Sequence, residues 1–134
     1  MNGPSGIQKF LAGDVFAVAG ASTHRYKYGN KVLRCYQQHG LTVYPVNPNA
    51  KHVEGLPAYP NLSSLPEKIH GLSIITPPEI TDQLIDEAIS SGIHHIWLQP
   101  GAESDRAIAR AQSAGINLIA GGPCLLVVLG YRGS

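Results

Sequence analysis

Short apolar runs alternate with segments of helical period along this chain, and that alternation restricts the fold more than any other feature. The run "VFAVAG" (15–20) is almost continuously apolar, as a strand covered on both faces requires. "LTVYPVNP" (41–48), "LSIIT" (72–76), "HHIWLQ" (94–99) and "INLIA" (116–120) read as further strands, with "LLVVL" (125–129) a candidate for the last. Between them, residues 4–13 read as a short helix with Ser5 as its cap. Residues 27–39 read as a second helix, with Val32, Leu33, Cys35 and Tyr36 inward and Gly40 ending it. Thr76 lies three residues before Glu79, a capping-box spacing that predicts a third helix running to Ser91. Its apolar face is Ile80, Leu84, Ile85, Ala88 and Ile89, and Gly92 closes it. The alanine-rich stretch 103–114 is the fourth helix. Residues 49–66 carry prolines at 57, 60 and 66 and read as loop, with room for one short strand at "GLPAY".

Strands joined by helices make a parallel sheet with right-handed crossovers. The expected fold class is therefore α/β: a Rossmann-like, doubly wound, mainly parallel sheet with helices on both faces. Residues 1–134 are expected to form a single domain, a length sufficient for one sizeable core. No run approaches the ~18 residues of a membrane-spanning helix, and "MNGPSGIQKFLAGD" lacks the basic start and long apolar middle of a secretory signal. Cys35 and Cys124 fit no metal-ligand spacing, so no metal site and a reducing, cytoplasmic setting are expected.

Charge is unevenly placed. Net charge is only +1, which gives no bulk attraction to nucleic acid. Up to His52, however, six basic residues face one acid, Asp14, whereas beyond it four bases face eight acids. The excess of positive charge falls around the first strand-to-helix loop, where ligands of such sheets bind. In that loop Gly20 lets backbone amides approach a ligand, and the following helix start favours phosphate. Ser22 adds a hydroxyl, and Arg25 and Lys27 add charge.

The loop is not a dinucleotide fingerprint. Gly-x-Gly-x-x-Gly would place glycine at 20, 22 and 25, but those positions are Gly, Ser and Arg. An NAD site also calls for an acid after the second strand to bind ribose hydroxyls, and "PVNPNAK" offers Lys51 instead. A base there points to an additional phosphate on the ribose, as in NADP or coenzyme A.

Together, "VAGAS", "KYG", "VYPVNP", "EGLPAYPNLSSLP", "IITPPE", "EAISSGIHHIWLQPGAES" and "AGINLIAGGPC" resemble the small stand-alone CoA-binding proteins. Their fold is shared with the nucleotide-binding domain of the succinyl-CoA synthetase alpha subunit, and the resemblance runs in consistent order over roughly residues 10–125. It implies that Gly20, Ala21 and Ser22 meet the CoA diphosphate, with Lys27 and Tyr28 in the same loop. It implies too that Val46, Asn47 and Pro48, with Lys51, surround the adenosine and its 3′-phosphate, and that Thr76, Pro77 and Pro78 flank the ligand. Arg25 joins this set from its charge and position, not from the resemblance.

No Ser-His-Asp order, carboxylate pair or zinc pattern stands out. The synthetase reacts through a phosphorylated histidine in a later domain that the resemblance does not reach. His94 and His95 read as structural, one pointing inward and one outward. His24 and His52 fall near the proposed anion. Cys35 reads as a buried apolar side chain, while Cys124 is a candidate neighbour of the CoA thiol. Gln99, Pro100, Gly101 and Glu103 either line the ligand or turn the chain, and Trp97 reads as core. The expected function is non-catalytic binding of CoA or acyl-CoA. The alternatives are an NADP-dependent oxidoreductase domain, or a regulatory or scaffolding subunit that responds to CoA. A small-molecule ligand is the expected partner, without nucleic acid or membrane, and a homodimer or a protein partner stays open.

Overall fold

The computed structural model describes residues 5–133. In chain order the elements are α1 (Gly6–Leu11), β1 (Val15–Ala19), α2 (Tyr28–Gln38), β2 (Thr42–Val46), β3 (His52–Val53), β4 (Leu56–Pro57), β5 (Gly71–Ile74), α3 (Pro78–Ser90), β6 (His95–Leu98), α4 (Asp105–Ser113) and β7 (Asn117–Ile119). Five parallel strands form the main sheet in the order β2-β1-β5-β6-β7, and β3 and β4 make a separate antiparallel hairpin. The expected α/β, doubly wound architecture is what the chain adopts. No helix among the described residues is long and apolar enough to cross a membrane.

Strand side chains alternate between two apolar layers. Phe16 and Val18 of β1 and Trp97 of β6 pack with Phe10 of α1 and Val32, Leu33 and Tyr36 of α2. Ala17 and Ala19 of β1, Leu72 and Ile74 of β5, and Ile96 and Leu98 of β6 pack with Ile85 and Ala88 of α3 and Ala107 and Ala111 of α4. Each large side chain buried this way contributes about 1.5–3 kcal/mol. Aromatic rings fix the first layer: Phe16 stacks on Tyr36 at 4.8 Å, and Phe10 meets Trp97 edge-on at 5.3 Å. The polar atoms in it are satisfied, since the Tyr36 hydroxyl pairs with Ser73 Oγ at 2.7 Å and Trp97 Nε1 donates to the Pro123 carbonyl at 3.0 Å.

Ser5 caps α1 in a reciprocal capping box with Gln8. The expected start of that helix at residue 4 lies outside the described residues. Other expectations are corrected. The run 125–129 is no strand: Leu126–Gly130 form a π-helical turn. Its burial follows a helical period, with Leu125, Leu126 and Leu129 packed inward and Val127 and Val128 exposed. Apolar runs this short do not distinguish strand from helix. Thr76 is not the cap of α3 either. Pro77 holds the cap position without a side-chain bond, and the Thr76 hydroxyl pairs instead with that of Thr81 at 2.8 Å. Proline at the first helical position has no N–H to satisfy, which lessens the need for a cap. The proline-rich stretch holds the β3–β4 hairpin, where a single strand at "GLPAY" was expected. Its Tyr59 also bridges to Val46 and extends the edge of β2.

At the amino-terminal edge of the sheet, His94 is exposed and His95 half-buried. His95 stacks on His70 at 4.4 Å and accepts from Asn117 Nδ2 at 3.1 Å, while His70 Nε2 donates to the Lys9 carbonyl at 3.0 Å. Burial, then His70, His94 and Lys9 nearby, holds His95 below its ordinary value of 6.5. Below that pH the unfolded chain takes up a proton that the folded chain refuses. Stability is therefore insensitive to this group above pH 6.5 and falls as pH drops through it. Melting temperature between about pH 7.5 and about pH 5.5 should show that fall, and His95→Gln should flatten it. An unchanged slope in the variant would assign the loss to another group.

Candidate functional site

The chain leaves β1 through α2 toward β2 on one side, and leaves β5 through α3 toward β6 on the other. β1 and β5 are neighbours in the sheet, so their carboxyl ends form the switch point where ligands of open α/β sheets bind. A cleft of about 890 Å³ opens there, between the loop after β1, the first turn of α2, the end of β2 and the start of α3. That volume suits a nucleotide-sized ligand.

Two glycines bring the cleft floor together. Gly20 has φ +91°, and a methyl group on it would lie 2.2 Å from the Ile75 carbonyl oxygen of the neighbouring loop. On Gly29, in the first turn of α2, a methyl group would lie 2.0 Å from the Gly20 carbonyl oxygen. The helix start therefore rests directly on the end of β1. No side chain caps it: Lys27 is the cap residue and makes no side-chain bond to the first turn. The opening amides and the positive end of the α2 dipole are left for an anion. Asn47 Nδ2 donates to the Ala21 carbonyl at 2.8 Å and ties the loop to the end of β2.

Most of the residues singled out from sequence converge here. Gly20, Ala21 and Ser22 form the loop wall, and Lys27 and Tyr28 lie beside them. Val46, Asn47 and Pro48 line the β2 end, and Thr76 and Pro77 the α3 end. Three others stand outside the lining. Arg25 points to the hairpin, where its guanidinium meets Glu54 Oε1 at 2.5 Å. Lys51 is exposed ahead of β3, and Pro78 is the first residue of α3. His24 and His52 are exposed and do not line the cleft. Gln99 and Glu103 turn the chain: Gln99 Oε1 accepts from Leu125 N at 2.8 Å, and Glu103 from Gly101 N at 2.8 Å.

Sequence reasoning missed Gly29, since a lone glycine in a helical stretch carries no specific signal of close backbone approach. It also assigned Ile80 and Leu84 to the core alone, whereas both line the cleft and Ile80 is 42% exposed. The Arg25–Glu54 pair joins residues too far apart in sequence to be read from spacing. Glu54 sits at φ +49° in the hairpin turn, and its carboxylate is held below the usual range, first by the hydrogen bond from Asn30 and then by Arg25 and Arg34.

A family model described as the CoA binding domain matches residues 14–130. This chain belongs to the CoA-binding domain family. Its curated relatives include acetate–CoA ligase [ADP-forming] I of Archaeoglobus fulgidus, 30% identical over 130 residues. That alignment covers 89% of this chain and 19% of the ligase, so the chain spans about a fifth of that relative's length. Among solved structures, a conserved hypothetical protein from Pyrococcus furiosus superposes with TM-score 0.82 at 34% identity, covering 87% of this chain and 99% of the other. The dinucleotide-forming acetyl-coenzyme A synthetase 1 of Ca. Korarchaeum cryptofilum superposes with TM-score 0.72 at 26% identity, over 84% of this chain and 27% of the synthetase.

The glycine contacts give a graded test. Gly92 has φ +74° with nothing within 4 Å of an added methyl, so Gly92→Ala should cost only the left-handed backbone penalty of about 1–2 kcal/mol. Gly20→Ala adds a backbone collision and should cost about 3 kcal/mol or more in urea unfolding. Equal losses at the two positions would show that the floor is not tightly packed.

Proposed function

We propose that the cleft binds coenzyme A or an acyl-CoA, with the diphosphate on the Gly20–Ser22 loop and the start of α2. The observation that carries this reading is the uncapped first turn of α2, seated on Gly20 through Gly29 in a chain of the CoA-binding domain family. At both glycines backbone approaches backbone where a side chain would collide, which suits a backbone-lined cradle for phosphate. Lys27 supplies charge at the cradle. Asn47 and Pro48 border the adenosine, and Lys51, exposed beyond them, meets the 3′-phosphate. Ile80, Leu84 and the Tyr28 ring give the cleft an apolar side suited to the uncharged part of the ligand.

In this reading the domain's role is to hold its ligand. Glu87, the one carboxylate among the lining residues, is occupied in accepting from Leu62 N at 3.1 Å. Among the described residues no three His, Cys, Asp or Glu side chains gather as a metal site would need. A second reading, a CoA-responsive subunit of a larger assembly, is favoured by one relative. The alpha subunit of acetate–CoA ligase [ADP-forming] II from Pyrococcus furiosus is 31% identical over 78 residues, covering 58% of this chain and 17% of that subunit.

Calorimetric titration with CoA, dephospho-CoA, NADP and NAD tests the reading. CoA should bind best, and dephospho-CoA about tenfold more weakly. Lys27→Ala should weaken both by about three- to tenfold, whereas Lys51→Ala should remove the difference between them. Preference for NADP would replace CoA as the ligand. Equal binding of CoA and dephospho-CoA would detach Lys51 from the site.

A further inference from the structure

Behind the anion loop, on the side away from the cleft, α2 carries a buried arginine that the proposed CoA site does not use. Arg34 is only 8% exposed. Burying a guanidinium is costly unless its donors are engaged, so the engagements show what holds it there. Its Nε donates to Asn30 Oδ1 at 2.6 Å, and its Nη2 donates to the Arg25 carbonyl at 2.8 Å. Asn30, fully buried one turn earlier, passes the grip forward: its Nδ2 donates to the Ser22 carbonyl at 2.8 Å and to Glu54 Oε2 at 3.0 Å. Two carbonyls of the loop, at Ser22 and Arg25, are thus pinned against α2. In a trans peptide the C=O and the following N–H point in opposite directions. Pinning those carbonyls turns the Thr23 and Tyr26 amides away from α2 and fixes the loop without any ligand.

The outer face of Arg34 is closed by a residue about a hundred positions later in the chain. The Tyr131 ring lies 5.4 Å from the guanidinium carbon. Tyr131 is set in place from both sides, by its own N–H to the Leu126 carbonyl at 2.7 Å and by Arg132, whose backbone pairs with Gln38. Gln38 Oε1 accepts from Arg132 N at 2.9 Å, and Gln38 Nε2 donates to the Arg132 carbonyl at 2.5 Å. The Tyr131 hydroxyl is buried and is the one such side-chain polar atom among the described residues without a hydrogen-bond partner. The ring, then, and not the hydroxyl, is what this position supplies.

We propose that Asn30 and Arg34, covered by Tyr131, are positioning residues that hold the diphosphate loop in its binding shape, so that the segment at Tyr131–Arg132 sets the affinity of a cleft it does not touch. This rests on the reading that the loop receives the CoA diphosphate. Uncovering Arg34 admits water to its donors and loosens the Ser22 and Arg25 carbonyls. The loop amides then adopt several orientations, of which only one serves the ligand. Affinity falls by the fraction of time spent in that one.

The test uses Tyr131→Ala, Tyr131→Phe and Arg34→Lys in the full chain, with two readouts. The first is affinity for CoA and, in parallel, for adenosine 3′-phosphate, which retains the nucleoside and lacks the diphosphate. Tyr131→Ala should weaken CoA by about fivefold and Arg34→Lys by about tenfold, with adenosine 3′-phosphate unchanged. Tyr131→Phe should match the parent, because the hydroxyl has no partner to lose. The second readout is amide hydrogen exchange over residues 22–27 without ligand, which should quicken in Tyr131→Ala and not in Tyr131→Phe. Quickened exchange in a chain that binds no CoA would uphold the brace and remove the CoA reading. Parent-like exchange and parent-like CoA affinity in Tyr131→Ala would overturn the brace, as would equal weakening of both ligands.

Discussion

The first turn of α2 lies so close to the end of β1 that a single methyl group on Gly29 would come within 2.0 Å of the Gly20 carbonyl oxygen. Much else in the domain follows from that approach. It points the helix dipole at the sheet's switch point, and it brings Lys27 and Tyr28 onto the cleft. It also orients the inner face of α2, so that Tyr36 reaches Ser73 across β1 and stacks on Phe16. A helix set farther out by a side chain at Gly29 would lose the cradle and the aromatic contacts together.

The two sides of the anion loop are handled differently. Toward the cleft the first turn of α2 lacks a side-chain cap, a local cost that a bound anion would offset. Away from the cleft, Asn30, Arg34 and Glu54 satisfy the loop's carbonyls and one another. This is the arrangement expected where binding is to be achieved by a preformed backbone: the loop carbonyls of Ser22 and Arg25 are paired on the supporting side, and the helix start is left open on the binding side. Arg25 belongs to the supporting side. Its charge, which from sequence alone pointed to the ligand, is spent on Glu54.

The sheet and its order of helices were legible because parallel strands buried on both faces leave near-continuous apolar runs, and glycines at 40 and 92 mark where helices stop. The cleft was legible for the same reason, since the switch point follows from topology. What escaped notice has physical causes. The run at 125–129 is too short to display its period. The hairpin of β3 and β4 has two-residue strands, whose pairing leaves no pattern to read. Gly29, within "KYG", shows nothing of its role in the sequence, because a lone glycine in a helix is ordinarily just a weak former. Glu54 and Tyr131 act on residues distant in sequence, through contacts that only the folded chain creates.

The central claim, that the Gly20–Gly29 contact builds the cradle for a CoA diphosphate, is tested most directly by following the backbone amides of the isotopically labelled protein as CoA is added. The account predicts that the largest shifts fall on Ala21, Ser22, Tyr28 and Gly29, with smaller ones at Asn47 and Asn49 and none at His70 or His95. Shifts concentrated elsewhere, or an unmoved Gly29 at saturating CoA, would contradict it.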